Sequence, residues 1–507
     1  MNVIIFSDDN AWIGFARYAG AYRIASELRM AGYTVQVVDF FSSYTFEQIE
    51  ELLRLYVTEE TLFVGFATSL WVRSSEYKFR EYLANSYEAH LKTLFPHSDE
   101  FMNRLFDSAL KLNSQIKFVV GGSKAESLGS ERIDHWIIGQ GESAALFLTD
   151  NLKKKKFHNI PKILEGKKYS YENFSSSKIT WSNTDYVFRN ESLPIEIARG
   201  CIFRCSFCYY PLNGKKKNEY IKSKEQLKLE LLDAYERFGT ETFLFTDDLI
   251  NDSPEKVEML SSLAKELPFK LEWSGFCRLD MIHTYPKMAD QLLESGLRSV
   301  YFGIETLHKE AGIRSGKGLG RDKIMATLEN VRAIWGHQIM VNAGFIVGLP
   351  GEPKESIKNT LDWLLTEDCP IDVADVGVLN IKARENLSDV AIYNSRIGEN
   401  PNQFGLKVSQ TFWEHDQLNS REAFELVDQF YANPRFLDQK RGAPFTMYPR
   451  LKNLGYSFDE IAKVSIGNLE FKVQAALRRQ QLFEEYSRKI LKMQKNFKGN
   501  YNEIDKQ

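Results

Sequence analysis

At 507 residues the chain has room for about two to four domains, and with 43% hydrophobic and 13% aromatic residues it can bury a core in each. A net charge of -3 carries no global basic excess, which speaks against a nucleic-acid binder. Five cysteines do not make a secreted disulfide framework. The start, Met1-Asn2-Val3-Ile4-Ile5-Phe6, lacks the basic and long apolar regions of a signal peptide, and no apolar run reaches the ~18 residues of a membrane-spanning helix. The expectation is a soluble protein of the reducing cytoplasm.

Residues 1–150 read as alternating strand and helix. Val3–Phe6 is a short apolar strand. Tyr18–Ala31 has helical periodicity and stops at Gly32. Thr34–Phe40, Leu62–Ala67, Lys117–Val120 and Trp136–Ile138 follow as strands, with Gly121-Gly122 after the fourth and Gly139-Gln140-Gly141-Glu142 after the fifth. Residues 74–114 exceed an ordinary crossover and predict a helical insertion. The pattern predicts a Rossmann-like parallel sheet covered on both faces, with ligands at its glycine-rich carboxyl ends. Residues 151–190, with Lys153–Lys156 and Ser175–Ser177, read as a surface linker.

Residues 191–400 repeat the alternation. Strands are expected at Leu193–Ala198, Thr242–Phe245, Lys270–Phe276, Ser299–Phe302, Met340–Val347 and Val373–Leu379, with helices between them, including one from Tyr285 to Ser295. Six strand–helix units of one hand predict a partial (β/α)6 parallel barrel with its polar clusters at the strand ends. Residues 401–507 read as a helical C-terminal extension, with helices at Ser420–Tyr431 and Leu469–Lys492; Trp413 and His415 are candidates for a lid but fit packing against the barrel at least as well.

Three of the five cysteines fall in eight residues, Cys201-Ile202-Phe203-Arg204-Cys205-Ser206-Phe207-Cys208, while Cys277 and Cys369 lie far off. Three thiolates this close ask for a soft metal centre with one coordination position left open, and no fourth Cys or His follows at the spacing of a structural zinc site.

Cys-x3-Cys-x2-Cys, with aromatic Phe207 before the last cysteine, resembles the cluster loop of the radical S-adenosylmethionine (SAM) superfamily. The resemblance implies that Cys201, Cys205 and Cys208 hold three irons of a [4Fe-4S] cluster, that SAM chelates the fourth, and that an electron donor such as flavodoxin or ferredoxin drives its cleavage to a 5'-deoxyadenosyl radical. It further implies that Glu305 in Gly-Ile-Glu-Thr binds the SAM ribose, that Gly344, Ile346 and Gly348 lie along the adenine, and that Asp247 and Asp248 stand near the methionine ammonium, although the usual Gly-Gly-Glu is absent there. Asp247-Asp248 also fits a helix N-cap. Arg278 is expected to hold the SAM carboxylate or an anionic substrate group, or to form an ion pair with Asp280. Glu352 reads as a capping residue, Cys277 and Cys369 as buried thiols.

The first region resembles the cobalamin-binding domain that precedes the radical module in one subgroup, through Gly121-Gly122-Ser123, Gly139–Glu142 and the strand order. That resemblance makes Asp9, Gly14, Gly121, Gly122, Gly141 and Glu142 candidate cofactor contacts. Cobalamin folds often carry Asp-x-His-x-x-Gly after the first strand; here Asp9-Asn10-Ala11-Trp12-Ile13-Gly14 has alanine where the cobalt-ligating histidine would stand. The expected reaction is cobalamin-dependent methylation of an unactivated carbon in a small-molecule or peptide substrate. Rearrangement, cyclisation or oxidation without cobalamin is the alternative, and a non-catalytic binding protein a third.

Overall fold

The computed structural model describes residues 1–8, 13–67, 99–122, 132–169, 174–210, 212–381, 395–409, 412–439, 445–464 and 468–492. Asp9, Ala11, Ser123 and the expected insertion before residue 99 lie outside them. The described residues form two compact units: 1–189 with the segment from Ala475 onward, and 190–474.

The first unit is a six-stranded sheet, β1 (Val3–Phe6), β2 (Val35–Val38), β3 (Phe63–Ala67), β4 (Lys117–Gly122), β5 (His135–Ile138) and β6 (Ile163–Glu165). The order is β2-β1-β3-β4-β5-β6 and every pair is parallel. β1 and β2 are buried at every position, the mark of strands covered on both faces. Strand order reverses between β1 and β3, which is where a doubly wound sheet opens a ligand crevice. The stretch expected as a linker supplies β6 and a buried ion pair, Asp185 with Arg29 at 2.8 Å. Its polar composition hid a three-residue strand that pairs only with β5.

The final helix, Leu469–Lys492, was expected in the C-terminal extension; from Ala475 onward it belongs to the first unit. Tyr486 and Phe483 pack edge-on against Phe40 and Tyr44, and Tyr56 Oη donates to the Ile490 carbonyl at 2.9 Å.

The second unit carries β7 (Leu193–Ile195), β8 (Thr242–Phe245), β9 (Glu272–Cys277), β10 (Leu297–Glu305), β11 (Met340–Val347) and β12 (Val373–Val378), parallel and adjacent in chain order. β7 and β12 stay unpaired with each other, so the sheet is a partial (β/α)6 barrel. On β10 the two faces separate: Val300, Phe302 and Ile304 are buried toward the helices, with Phe302 stacked on Trp335, while Tyr301, Gly303 and Glu305 are half-exposed on the lumen side. The helix expected from Tyr285 to Ser295 is Met288–Glu294, which begins only after Pro286, and a separate helix that was not expected, Leu279–Thr284, precedes it.

The C-terminal part is not purely helical, since Lys407–Ser409 and Phe412–Glu414 form an antiparallel ribbon. Helix Ser420–Ala432 covers the β12 edge: Tyr431 Oη accepts from the Val376 amide at 2.9 Å and donates to its carbonyl at 3.1 Å. Helix Met447–Asn453 closes the amino end of the barrel through Tyr448 and Lys452, which meet Glu272 at the start of β9. Among the described residues no helix is long and apolar enough to cross a membrane.

Candidate active site

β7 ends at Ile195, and the chain then enters the cysteine loop under tight control. The Asp247 carboxylate accepts the Ile197 and Ala198 amides at 2.8 and 2.6 Å, and Asp248 accepts the Gly200 amide at 3.0 Å. Bridges from Ala198 to Ile221 and from Cys201 to Asn213 close the loop. Asp247 is 1% exposed and also faces the buried Lys256 at 3.5 Å. Both of its oxygens serve this chain, so Asp247 supports the loop from beneath. The sequence read it as a contact to the methionine ammonium because position after a strand says nothing about which way a carboxylate turns.

Cys201, Cys205 and Cys208 are reduced and half-exposed on this loop. Burial pushes the Cys201 thiol up to about 11 and raises Cys208 as well, and Cys205 acts electrostatically on both. Among the described residues no three Cys, His, Asp or Glu side chains close around one ion position. A cubane makes a different demand from a zinc site, since each thiolate takes its own iron. Cys277 and Cys369 are buried away from solvent.

Arg278, one residue past β9, meets the loop from the side. Its Nη1 donates to Cys205 Sγ at 3.2 Å and its Nη2 to the Gly316 carbonyl at 3.0 Å. The fork is closed on Asp280, with Nε to Oδ1 at 2.9 Å, and the guanidinium lies 3.8 Å over the Phe203 ring. Burial opposes its charge, but Asp280 and Cys205 more than offset that and raise its pKa. Of the two expectations for Arg278 the ion pair with Asp280 is present, together with a thiol contact that the sequence did not suggest.

Glu305 ends β10 at φ 70°, past a register shift between Gly303 and Glu305. A left-handed glutamate is strained backbone, the kind held where a side chain must be aimed. Burial raises its pKa against the pull of Lys317, whose Nζ stands 3.4 Å from Oε1 and donates to the Gly303 carbonyl at 2.7 Å. Lys317 also lies 5.9 Å from the Phe207 ring, so it links the expected ribose carboxylate to the cluster loop. Sequence reasoning passed over it; its setting between Gly316 and Gly318 was the available signal.

Gly344 and Gly348 each lie close against an aromatic side chain of this chain. A Cβ at Gly344 would stand 2.1 Å from Tyr301 Oη. That hydroxyl crosses over β11 to donate to Asp375 Oδ2 on β12 at 2.9 Å. A Cβ at Gly348 would stand 2.1 Å from the Trp413 ring, and Trp413 Nε1 donates to the Leu379 carbonyl at 2.8 Å. Trp413 is therefore packed against the strand ends, and His415 stacks on it at 5.6 Å. Ile346 is half-exposed, on the lumen side with Gly344. Tyr301, Phe276 and Phe445 form an aromatic floor with centroids 4.5 to 5.3 Å apart. Asp375 is exposed on that face and, among the described residues, has no ion-pair partner. Neither Tyr301 nor Asp375 carried a sequence signal, being one residue each on different strands. Glu352 is 2% exposed, takes the Ser356 hydroxyl at 3.3 Å, and is pushed up to about 7 by burial.

In the first unit Gly121 and Gly122 end β4, and Gly141 precedes helix Glu142–Lys153. The Gly14 carbonyl accepts from Arg479 Nε at 3.0 Å. Glu142 is 2% exposed and faces Arg23 of helix Ala19–Met30 at 3.4 Å, so it lies between two helices. Asp9 lies outside the described residues.

Residues 195–364, from β7 through helix Lys354–Leu364, match the radical SAM superfamily. An uncharacterized methyltransferase of Pyrococcus horikoshii is 26% identical over 199 residues, 39% of this chain and 41% of that one. The ribosomal protein uS12 methylthiotransferase RimO of Stutzerimonas stutzeri is 26% identical over 215 residues, 37% of this chain and 47% of that one. The chain thus spans less than half the length of either relative. In fold it resembles the radical SAM methyltransferase TsrM of Kitasatospora setae, solved with cobalamin and a [4Fe-4S] cluster, at TM-score 0.59 and 15% identity over 96% of this chain and 99% of that one. It also resembles the cobalamin-dependent radical enzyme OxsB, solved with aqua-cobalamin and SAM, at TM-score 0.52 and 16% identity over 96% and 67%. A strand–helix series that matches the radical SAM superfamily over residues 195–364, headed by a three-thiol loop, thus lies in a two-sheet fold like those of TsrM and OxsB.

Proposed function

We propose that the chain is a cobalamin-dependent radical SAM methyltransferase acting on an unactivated carbon. The observation that carries the reading is the junction at the barrel mouth: three half-exposed thiols on one loop, flanked by Arg278 and by the strained Glu305 with Lys317. The donor set fits a [4Fe-4S] cluster, with Cys201, Cys205 and Cys208 each taking one iron. When bound, cluster, SAM and cobalamin would supply the electron, the 5'-deoxyadenosyl radical and the methyl group.

The protein's own residues do the positioning. Asp247 and Asp248 hold the loop backbone, so the thiols are placed before any metal arrives. Glu305 offers an acceptor carboxylate for ribose hydroxyls, oriented by Lys317. Asp375, oriented by the Tyr301 hydroxyl above the aromatic floor, offers an acceptor to a substrate N–H or O–H. A flavodoxin or ferredoxin would deliver the electron.

Anaerobic reconstitution with iron, sulfide and cobalamin, followed by visible spectra and product analysis, tests the reading. Retained cobalamin with S-adenosylhomocysteine beside 5'-deoxyadenosine supports it. Failure to retain cobalamin removes the methylation route. The alternative, radical rearrangement or oxidation without cobalamin, draws on Ala11, which cannot ligate cobalt; 5'-deoxyadenosine without S-adenosylhomocysteine would favour it.

A further inference from the structure

Arg278 makes more contacts around the cysteine loop than fixing one ion pair requires. Its backbone is gripped at both ends by Asn251, whose Oδ1 accepts the Arg278 amide at 2.7 Å and whose Nδ2 donates to the Arg278 carbonyl at 2.9 Å. The residue is 5% exposed. Its fork is taken by Asp280, its flat face by Phe203, one donor by the Gly316 carbonyl and one by Cys205 Sγ. A closed fork cannot also clamp a ligand carboxylate bidentately. What remains is a fixed positive charge and a directed N–H aimed at a single sulfur.

We propose that Arg278 is a positioning residue that raises the reduction potential of the bound cluster through Cys205, with Asp280 as the opposing charge that limits the effect. The proposal rests on the reading of Cys201, Cys205 and Cys208 as cluster ligands. A guanidinium is always charged, and a hydrogen bond to a cluster sulfur draws charge from it and favours the more negative, reduced state. Asp280 lies against the same guanidinium and damps that field. The two residues therefore act with opposite sign on one equilibrium. A purely structural pair would lack this property, because losing either member would loosen the loop in the same direction.

The test is a redox titration, followed by electron paramagnetic resonance, of the full chain reconstituted anaerobically with iron and sulfide. R278M should lower the equilibrium constant for reduction at least tenfold, a shift of 59 mV or more to the negative for one electron. D280N should shift the potential the other way. R278K, which keeps a point charge but not the fork, should recover part of the R278M loss. Unchanged potentials in cluster-loaded R278M and D280N overturn the proposal, as do shifts of the same sign in both. Should R278M fail to load, D280N and R278K still decide: no shift in either overturns it. Loss of SAM binding in R278K at unchanged potential would also overturn it, in favour of a carboxylate clamp. Wild type that takes up no iron–sulfur chromophore would instead defeat the underlying reading, so the two failures are distinguishable.

Discussion

The two sheets have the same number of strands, the same parallel pairing and helical cover, yet they use their strand ends in opposite ways. In the second unit the carboxyl ends of β7, β9 and β10 lead to the half-exposed cysteine loop, to Arg278 buried beside it and to the half-exposed Glu305. In the first unit the polar groups are drawn inward. Arg17 is ringed by Tyr22, Phe40, Trp181 and Tyr486, Asp39 accepts the Tyr22 hydroxyl at 3.1 Å, and Glu142 faces Arg23. Strand order accounts for part of the contrast. A reversal between β1 and β3 leaves one crevice, whereas a run in chain order bends every strand end toward one mouth.

The sharpest way to break the comparison is to remove a thiol. C205A should lose the cluster and drop SAM cleavage to the uncatalysed background, measured as iron content and 5'-deoxyadenosine, while C369A should leave both near wild type. Next in size is D247A. It strips the acceptor from two buried amides and leaves Lys256 with a weakened partner set, which should cost about 3–5 kcal/mol in chemical denaturation. A residue serving only as a cofactor ligand would show no such cost.

Within the first unit, Asp39 makes stability depend on pH. Its carboxyl is pushed up from 3.8 to about 7, by burial first and against the pull of Arg17. Between those values the folded chain keeps a proton that the unfolded chain releases. Asp39's contribution is therefore fully present below the lower value and is lost as pH rises through the window. D39N should flatten the stability profile across it by about 4 kcal/mol, read from denaturation midpoints at several pH values. G344A should cost about 1–3 kcal/mol by driving Tyr301 from Asp375. The smallest effect on stability belongs to D375N, within about 0.5 kcal/mol because the group is exposed. Its readout is KM for the substrate, which should rise while substrate-free SAM cleavage stays unchanged.

Much of the second unit was legible because its signals are local. All six of its strands were expected close to where they lie, and Cys201–Cys208 carries its chemistry in eight consecutive residues. Glu305 was singled out the same way, through the residues beside it. The linker reading of 151–190 failed because β6 is three residues long and is a strand only by virtue of β5 beside it. The helix expected across Tyr285–Ser295 is there but starts only after Pro286, and the six-residue helix Leu279–Thr284 before it is too short for its periodicity to show. Glu142 and Asp247 were placed by position along the chain, and the direction of a carboxylate depends on what is packed against it.

The sequence alone determined the alternation of elements, the fold class and the grouping of three thiols on one loop, since each rests on periodicity or on neighbours within a few residues. Tertiary structure alone decided that Tyr301 meets Asp375 across Gly344, that Lys317 bridges Glu305 and Phe207, that Arg278 donates to Cys205, and that the last helix joins the first sheet. The reason is the same in every case. These partners lie tens to hundreds of residues apart, and only the register of a sheet or the packing of a helix brings such groups within hydrogen-bonding distance.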